Sequence, residues 1–240
     1  MKIDCFPTET ADEEQLWTAI HEYMKERIAV TSILYGFTHS RYTAERIGIS
    51  RSLYIKHSHP KDYVDHFGSD TFLNDDLCTV ILLQQLEPFL WHHADNWPGA
   101  TEAQKERARI DRQFGMDIGV SIGFHFADGH GIAGIGLCAS GTSAEEFEQR
   151  WKERGEDVMS YLAIFEPLMR ARMVANRMAL SERQRQVLAY SVSGMQAKEI
   201  AAHLKIAEKT VHNYREDARE AIDADTTMEA VAKALAYRLI

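Results

Sequence analysis

Cysteine is scarce in this chain: Cys5, Cys78 and Cys138 are the only three among 240 residues, and they lie far apart. With an odd number and no C-x-x-C pair, neither a disulfide framework nor a zinc knuckle is supported, and the three thiols read as small buried hydrophobes. Long apolar runs are also missing. No stretch approaches 18 apolar residues, which excludes a spanning helix, and the opening "MKIDCFPTETADEEQ" lacks the apolar core of a signal peptide. A cytoplasmic protein without a membrane partner is expected. There are five prolines, no internal repeat and no low-complexity tract. Positive charge is short too, with a formal net charge of −9. After residue 175 ten Lys/Arg meet nine Asp/Glu, whereas before it seventeen meet twenty-seven. An acidic front part is ill suited to lie on DNA, while a near-neutral tail can do so if dimerisation doubles its contacts.

What is present is a 45% apolar chain, ample for real cores. Leu16, Ile20, Tyr23 and Met24 form a helical stripe within residues 10–30. "SILYGFTH" (32–39) and "ISRSLYIK" (49–56) read as strands, and "PKDYVDHFGSD" as a short helix ending near Gly68. "NDDLCTVILLQQL" (74–86) reads as a helix with Asn74 or Asp75 available as cap, and 101–114 as a polar, basic helix. "DIGVSIGFHF" and "GIAGIGLCAS" flank Asp128-Gly129, a strong hairpin signal. A long helix follows from about Ala144 to Asn176, which Pro167 should kink or divide. The expected fold class is therefore α+β: an N-terminal α/β/α sandwich around an antiparallel sheet over 1–172, a short linker at 173–179, and an all-α helix-turn-helix domain over 180–240. A sheet covered by helices can hold a small molecule between them.

In the tail, Ser181 caps a helix that ends at Gly194; "AKEIAAHL", "KIA" and "EKTVHNYREDAREAI" then read as helix, turn and helix. Ile200, Leu204, Ile206 and Val211 fall where two crossed helices touch. Lys209, Thr210, His212, Asn213, Arg215 and Arg219 are left for outward work. Arg and Lys suit guanine or phosphate, and Thr and Asn suit base edges. Acids at the far end of this helix, Glu216, Asp217 and Glu220, can avoid the phosphates because such a helix enters the groove by its N-terminal end. The final helix offers Met228, Val231, Ala232 and Leu235 as a packing or dimer face. "G…EIA…L.I…TV..Y" and "EAVAKAL" stand at the spacing of the DNA-binding domain of LuxR-type transcriptional regulators, and residues 180–240 resemble that domain throughout. Gln186, Met195, His212, Ala221 and Asp223 depart from its usual residues.

Residues 1–170 resemble the autoinducer-binding domain of the quorum-sensing branch of that family in length and element order. On that match Asp76 and Trp91 coincide with the family Asp and Trp, Tyr63 stands where Trp is usual, Phe67 where Tyr is usual, and Leu77 where Pro is usual. The resemblance implies that Tyr63, Phe67, Asp76 and Trp91 face a ligand. In the family these positions hold the lactone ring, amide and acyl part of an acyl-homoserine lactone. Asp76 can accept an N–H and Trp91 can donate one, but Phe67 has no hydroxyl for an acyl carbonyl, so an ordinary lactone should bind poorly. Core packing alone would also account for the aromatics, and helix capping for Asp76.

Other signals are weaker. "WHHAD" (91–95) pairs adjacent histidines without a spaced third ligand, so no metal site is expected. "GHGIAGIG" leads into a strand rather than a helix and is no phosphate cradle. Neither catalytic residues nor a cofactor are predicted. The leading reading is a homodimeric, ligand-responsive transcription regulator that binds double-stranded DNA at a two-fold symmetric site. One alternative is a ligand-independent regulator of the same type, controlled by expression level or a protein partner. The other is a metabolite-binding protein or enzyme whose C-terminal helices only mediate association.

Overall fold

The computed structural model describes residues 10–39, 53–68, 71–85, 87–126 and 131–240. The chain divides into two compact units, residues 1–169 and 170–240. In the first unit, α1 (Glu13–Ile28) begins at a capping box in which Asp12 and Gln15 each bond the other's backbone N–H. It buries the predicted stripe of Leu16, Ile20, Tyr23 and Met24. Strands β1 (Ser32–Thr38) and β2 (Tyr54–His57) follow, then α2 (Lys61–Phe67), α3 (Leu77–Gln84) and the two-residue β3 (Phe89–Leu90). A 3-10 turn (Trp91–Asn96) leads to α4 (Glu102–Gln113), β4 (Gly119–His125), β5 (Ile132–Cys138) and α5 (Ala144–Arg177).

The five strands form one antiparallel sheet in the order β2-β1-β5-β4-β3. The period of two along β1 gives the sheet its two faces. Ile33, Tyr35 and Phe37 are fully buried. Tyr35 meets Phe165 of α5 edge-on and its hydroxyl donates to Glu166 Oε1 at 3.2 Å, while Tyr23 of α1 stacks on Tyr161 of α5. The alternate residues Leu34 and Gly36 line a cavity shared with residues of α2, α3 and α4. Helices thus meet the sheet on both faces, as an α/β/α arrangement requires.

Three local details are refined. Neither Asn74 nor Asp75 caps α3; Asp76 does, because Asp75 sits at φ 60° and turns the chain so that the next carboxylate reaches the free N–H groups. Pro167 lies inside α5 without dividing it. The cap of the helix before Gly194 is Ser193, with Gly194 next at φ 78°. Residues 49–52 and the Asp128-Gly129 turn lie outside the described residues, though β4 and β5 pair as that turn implies.

The second unit is all helical after the end of α5: α6 (Glu182–Val192), α7 (Ala197–Leu204), α8 (Glu208–Ala221) and α9 (Thr227–Ala236). Ser181 with Gln184 forms the capping box of α6. Lys205 ends α7 in the left-handed region, and Lys205, Ile206 and Ala207 make the predicted turn. Val187, Ala197, Ile200, Ala201 and Val211 are the core, with Leu204, Ile206 and Tyr214 packed on it.

Candidate functional site: a cavity beneath the sheet and an exposed helix face

The cavity of the first unit holds about 70 Å³ of room for the centres of water molecules. That is room for several waters or a small organic group. Its walls are mostly apolar, from Leu34, Ile55, Phe72, Leu82, Met116 and Ile135, and its polar groups are few.

Trp91 closes one side. Its ring fits because two strand residues lack side chains: a Cβ on Gly119 would lie 2.8 Å from the indole and one on Gly136 3.2 Å. The indole Nε1–H donates to Ser121 Oγ at 2.9 Å. Asp76 lines the cavity while capping α3. Its Oδ1 accepts from Cys78 N at 3.1 Å, and its Oδ2 from Thr79 N at 3.2 Å and from the Thr79 hydroxyl. A carboxylate offers about four acceptor positions, so these three donors leave one, on Oδ1.

Tyr63 also reaches the cavity, but its hydroxyl is engaged. It donates to Asp111 Oδ1 at 2.9 Å and accepts from Arg107 Nη2 at 2.6 Å. Arg107 is 4% exposed. Its Nε donates to the same Asp111 oxygen at 2.8 Å and its Nη1 to the Asn74 carbonyl at 3.1 Å. Its guanidinium lies 3.8 Å from the centre of the Phe67 ring. Phe67 therefore serves as a floor for Arg107 and is absent from the cavity lining.

Burial pushes the Asp111 carboxyl up to about 6, against the pull of Arg107. Burial likewise holds His59, another lining residue, down to about 3, helped by His57 and Arg107. Tyr63 is raised by burial and by Asp111.

Of the four ligand positions read from the sequence, Tyr63, Asp76 and Trp91 are brought together around the cavity and Phe67 stands behind them. Sequence reading missed Arg107, Asp111, Ser121 and His59 as lining groups. The i,i+4 spacing of Arg107 and Asp111 was a usable signal for their ion pair, though not for its burial.

On α8 of the second unit, Lys209, His212 and Asn213 are exposed and Thr210 is half-buried. Three- and four-residue spacing sets 209, 212 and 213 on one outward side. The two arginines are occupied differently. Arg215 Nη2 donates to Ser191 Oγ at 3.0 Å and to the Met195 carbonyl at 3.4 Å, bracing the connection between α6 and α7. Arg219 pairs with Glu216 at 2.8 Å and reaches the Ala224 carbonyl.

Comparison with known proteins covers both units. Residues 12–166 match the family "Autoinducer binding domain", and residues 178–234 match "Bacterial regulatory proteins, luxR family". The chain belongs to the LuxR family of quorum-sensing regulators. It is 26% identical over 186 residues to the transcriptional activator protein SolR of Ralstonia nicotianae, covering 76% of each chain. It is 27% identical over 190 residues to the HTH-type quorum sensing-dependent transcriptional regulator RpaR of Rhodopseudomonas palustris, covering 75% of this chain and 72% of that one.

Among solved structures, SdiA of Escherichia coli shares the fold with a TM-score of 0.56 at 15% identity, over 96% of this chain and 93% of SdiA. A second SdiA structure, in complex with octanoyl-rac-glycerol, gives 0.52 at 15% identity over 95% of this chain and 89% of that one. Members of the family are transcriptional regulators and not enzymes, which removes the enzyme alternative for this LuxR-family chain. No helix among its described residues is long and apolar enough to cross a membrane.

Proposed function

We propose that this LuxR-family chain is a cytoplasmic, homodimeric transcription regulator. Its front domain (1–172), joined through a short linker (173–179) whose first five residues complete α5, senses a small molecule other than an ordinary acyl-homoserine lactone. Its tail (180–240) reads a two-fold symmetric duplex. The observation that carries the ligand reading is the state of the donors around the cavity. Trp91 Nε1–H is given to Ser121 and the Tyr63 hydroxyl to Asp111, so the two groups that could hold carbonyls are already paired. Breaking either pair to take a lactone carbonyl gains little, because one hydrogen bond replaces another. The spare acceptor on Asp76 favours a ligand whose head offers an N–H or O–H, followed by an apolar portion along Leu34, Ile55 and Leu82. SdiA, of similar fold, is seen with octanoyl-rac-glycerol, a molecule with a hydroxyl-bearing head and no lactone ring.

Ligand acts by linkage: it stabilises the folded, dimer-competent form, and that form binds DNA. Calorimetric titration of the full chain with acyl-homoserine lactones of several lengths and with 1-octanoylglycerol tests this. The lactones should bind weakly and the glycerol ester more tightly. Tight lactone binding would overturn the ligand reading and leave the DNA reading intact. The self-paired donors equally favour a regulator that needs no ligand, and saturable binding of neither series would select that reading.

DNA recognition is assigned to Lys209, Thr210, His212 and Asn213, with Arg215 and Arg219 at the flank of the same helix. Met228 (77% exposed) and Leu235 (48% exposed) support pairing of two tails through α9, whose inner face is already packed through Ala230 and Ala234.

A further inference from the structure

The pair His92-His93 lacks a third ligand within its own stretch of sequence, but the fold supplies one from α5. His92 Nε2 lies 3.7 Å from Glu148 Oε2, and ligand atoms of His92, His93 and Glu148 all lie within 4.8 Å of one another. The two imidazoles meet edge to face with centroids 4.2 Å apart. His92 is the least exposed of the three at 15%, and among the described residues neither of its ring nitrogens has a partner at hydrogen-bond distance, Glu148 standing at 3.7 Å. Two orphaned nitrogens on a mostly buried imidazole are unfavourable unless something takes their lone pair or proton.

We propose that His92, His93 and Glu148 form a surface-edge site for a divalent transition metal of the Zn²⁺ type, with water completing the coordination. Zinc takes imidazole nitrogen at about 2.0–2.1 Å and carboxylate oxygen at about 2.0–2.2 Å, so tetrahedral ligand atoms sit roughly 3.4 Å apart. The 3.7 Å separation is close to that, and the widest, at most 4.8 Å, closes with up to about 1.4 Å of side-chain adjustment. The surroundings suit a cation. Glu148 Oε1 is held by Lys152 at 3.1 Å, which leaves Oε2 turned toward His92, and Glu145 adds negative potential at the same imidazole.

The position gives the ion a role. The 3-10 turn that carries both histidines begins at Trp91, a wall of the cavity. A metal there ties that turn to α5 and holds the indole in place. The chain then has a second input, whichever molecule fills the cavity.

Co²⁺ titration of the full-length protein, followed by visible absorption and reversed with Zn²⁺, tests the site. One Co²⁺ per chain should give the stronger bands of four- or five-coordinate nitrogen ligation, and Zn²⁺ should abolish them. Glu148→Gln and His93→Ala, on separate elements and both at the surface, should each weaken binding at least tenfold with unchanged far-ultraviolet circular dichroism. Zn²⁺ should raise the melting temperature of the wild type and not of Glu148→Gln. Bands of equal affinity in both variants, or no saturable uptake below about 0.1 mM, would overturn the proposal.

Discussion

Arg107 Nε and the Tyr63 hydroxyl both donate to one oxygen of Asp111 at the cavity wall, and the burial of that carboxyl makes stability depend on pH in a way that His59 opposes. The folded Asp111 carboxyl holds its proton up to about 6 against an ordinary value of 3.8. Between those values the unfolded chain is the more ionised, so stability falls as pH rises, by at most about 1.4 kcal/mol per pH unit. His59 runs the other way. It stays neutral when folded down to about 3, whereas the unfolded residue takes a proton below 6.5, so stability falls as pH drops through that window. Asp111→Asn should therefore unmask a midpoint that rises from about pH 4 to 6, and His59→Gln one that falls over the same range. Urea midpoints at several pH values check this; parallel slopes in the two variants would contradict the assignment. Asp76 is a separate case, since it caps α3 through the N–H groups of Cys78 and Thr79. Asp76→Ala should destabilise the ligand-free protein by about 1–2 kcal/mol in thermal unfolding, before any effect on binding is counted.

At the scale of elements, α8 divides its own side chains between those engaged within the fold and those exposed. Arg215 braces the α6–α7 connection through Ser191 and Met195, and Arg219 is engaged with Glu216 and Ala224. Arg215→Ala should lower the stability of the helical unit and weaken DNA binding on all sequences alike. Asn213→Ala should leave stability unchanged and cost about 1–3 kcal/mol at a single base pair. Binding assays on an operator and its point variants, beside melting curves, separate the two; a sequence-dependent loss for Arg215 with unaltered melting would reverse their roles. These elements were well legible beforehand. The bounds of α7, the turn at Lys205 and the start of α8 agree with the sequence reading, because caps and a 3.6-residue apolar stripe are local signals. For the cap of α3 the sequence left Asn74 or Asp75 beside Asp76, the last as the alternative to a ligand role, and only the φ of Asp75 chooses among them.

At the scale of the molecule, the proposed function calls for two copies, because a near-neutral helical tail is expected to bind DNA weakly alone. Sedimentation of the free protein should give twice the 27.4 kDa chain, with recognition helices about 34–36 Å apart when on DNA. Met228→Glu with Leu235→Glu should weaken operator binding while each chain stays folded, because both side chains are exposed. A monomer with and without operator, or no loss in the double variant, would count against the dimer or against α9 as its seam.

What the sequence determined by itself was everything written in short-range pattern. That covers the order of helices and strands apart from the short β3 and the 3-10 turn after it, the antiparallel β4–β5 pair, the helix-turn-helix core of Ile200, Leu204, Ile206 and Val211, and the resemblance that named the family. The tertiary structure alone decided which partner each polar group met. Trp91 reaches Ser121 thirty residues on, Arg107 joins Tyr63 forty-four residues back, and Glu148 comes beside His92 from another element. Such pairings leave no period in the chain. They arise because a buried donor or acceptor must find a partner wherever packing brings one within about 3 Å.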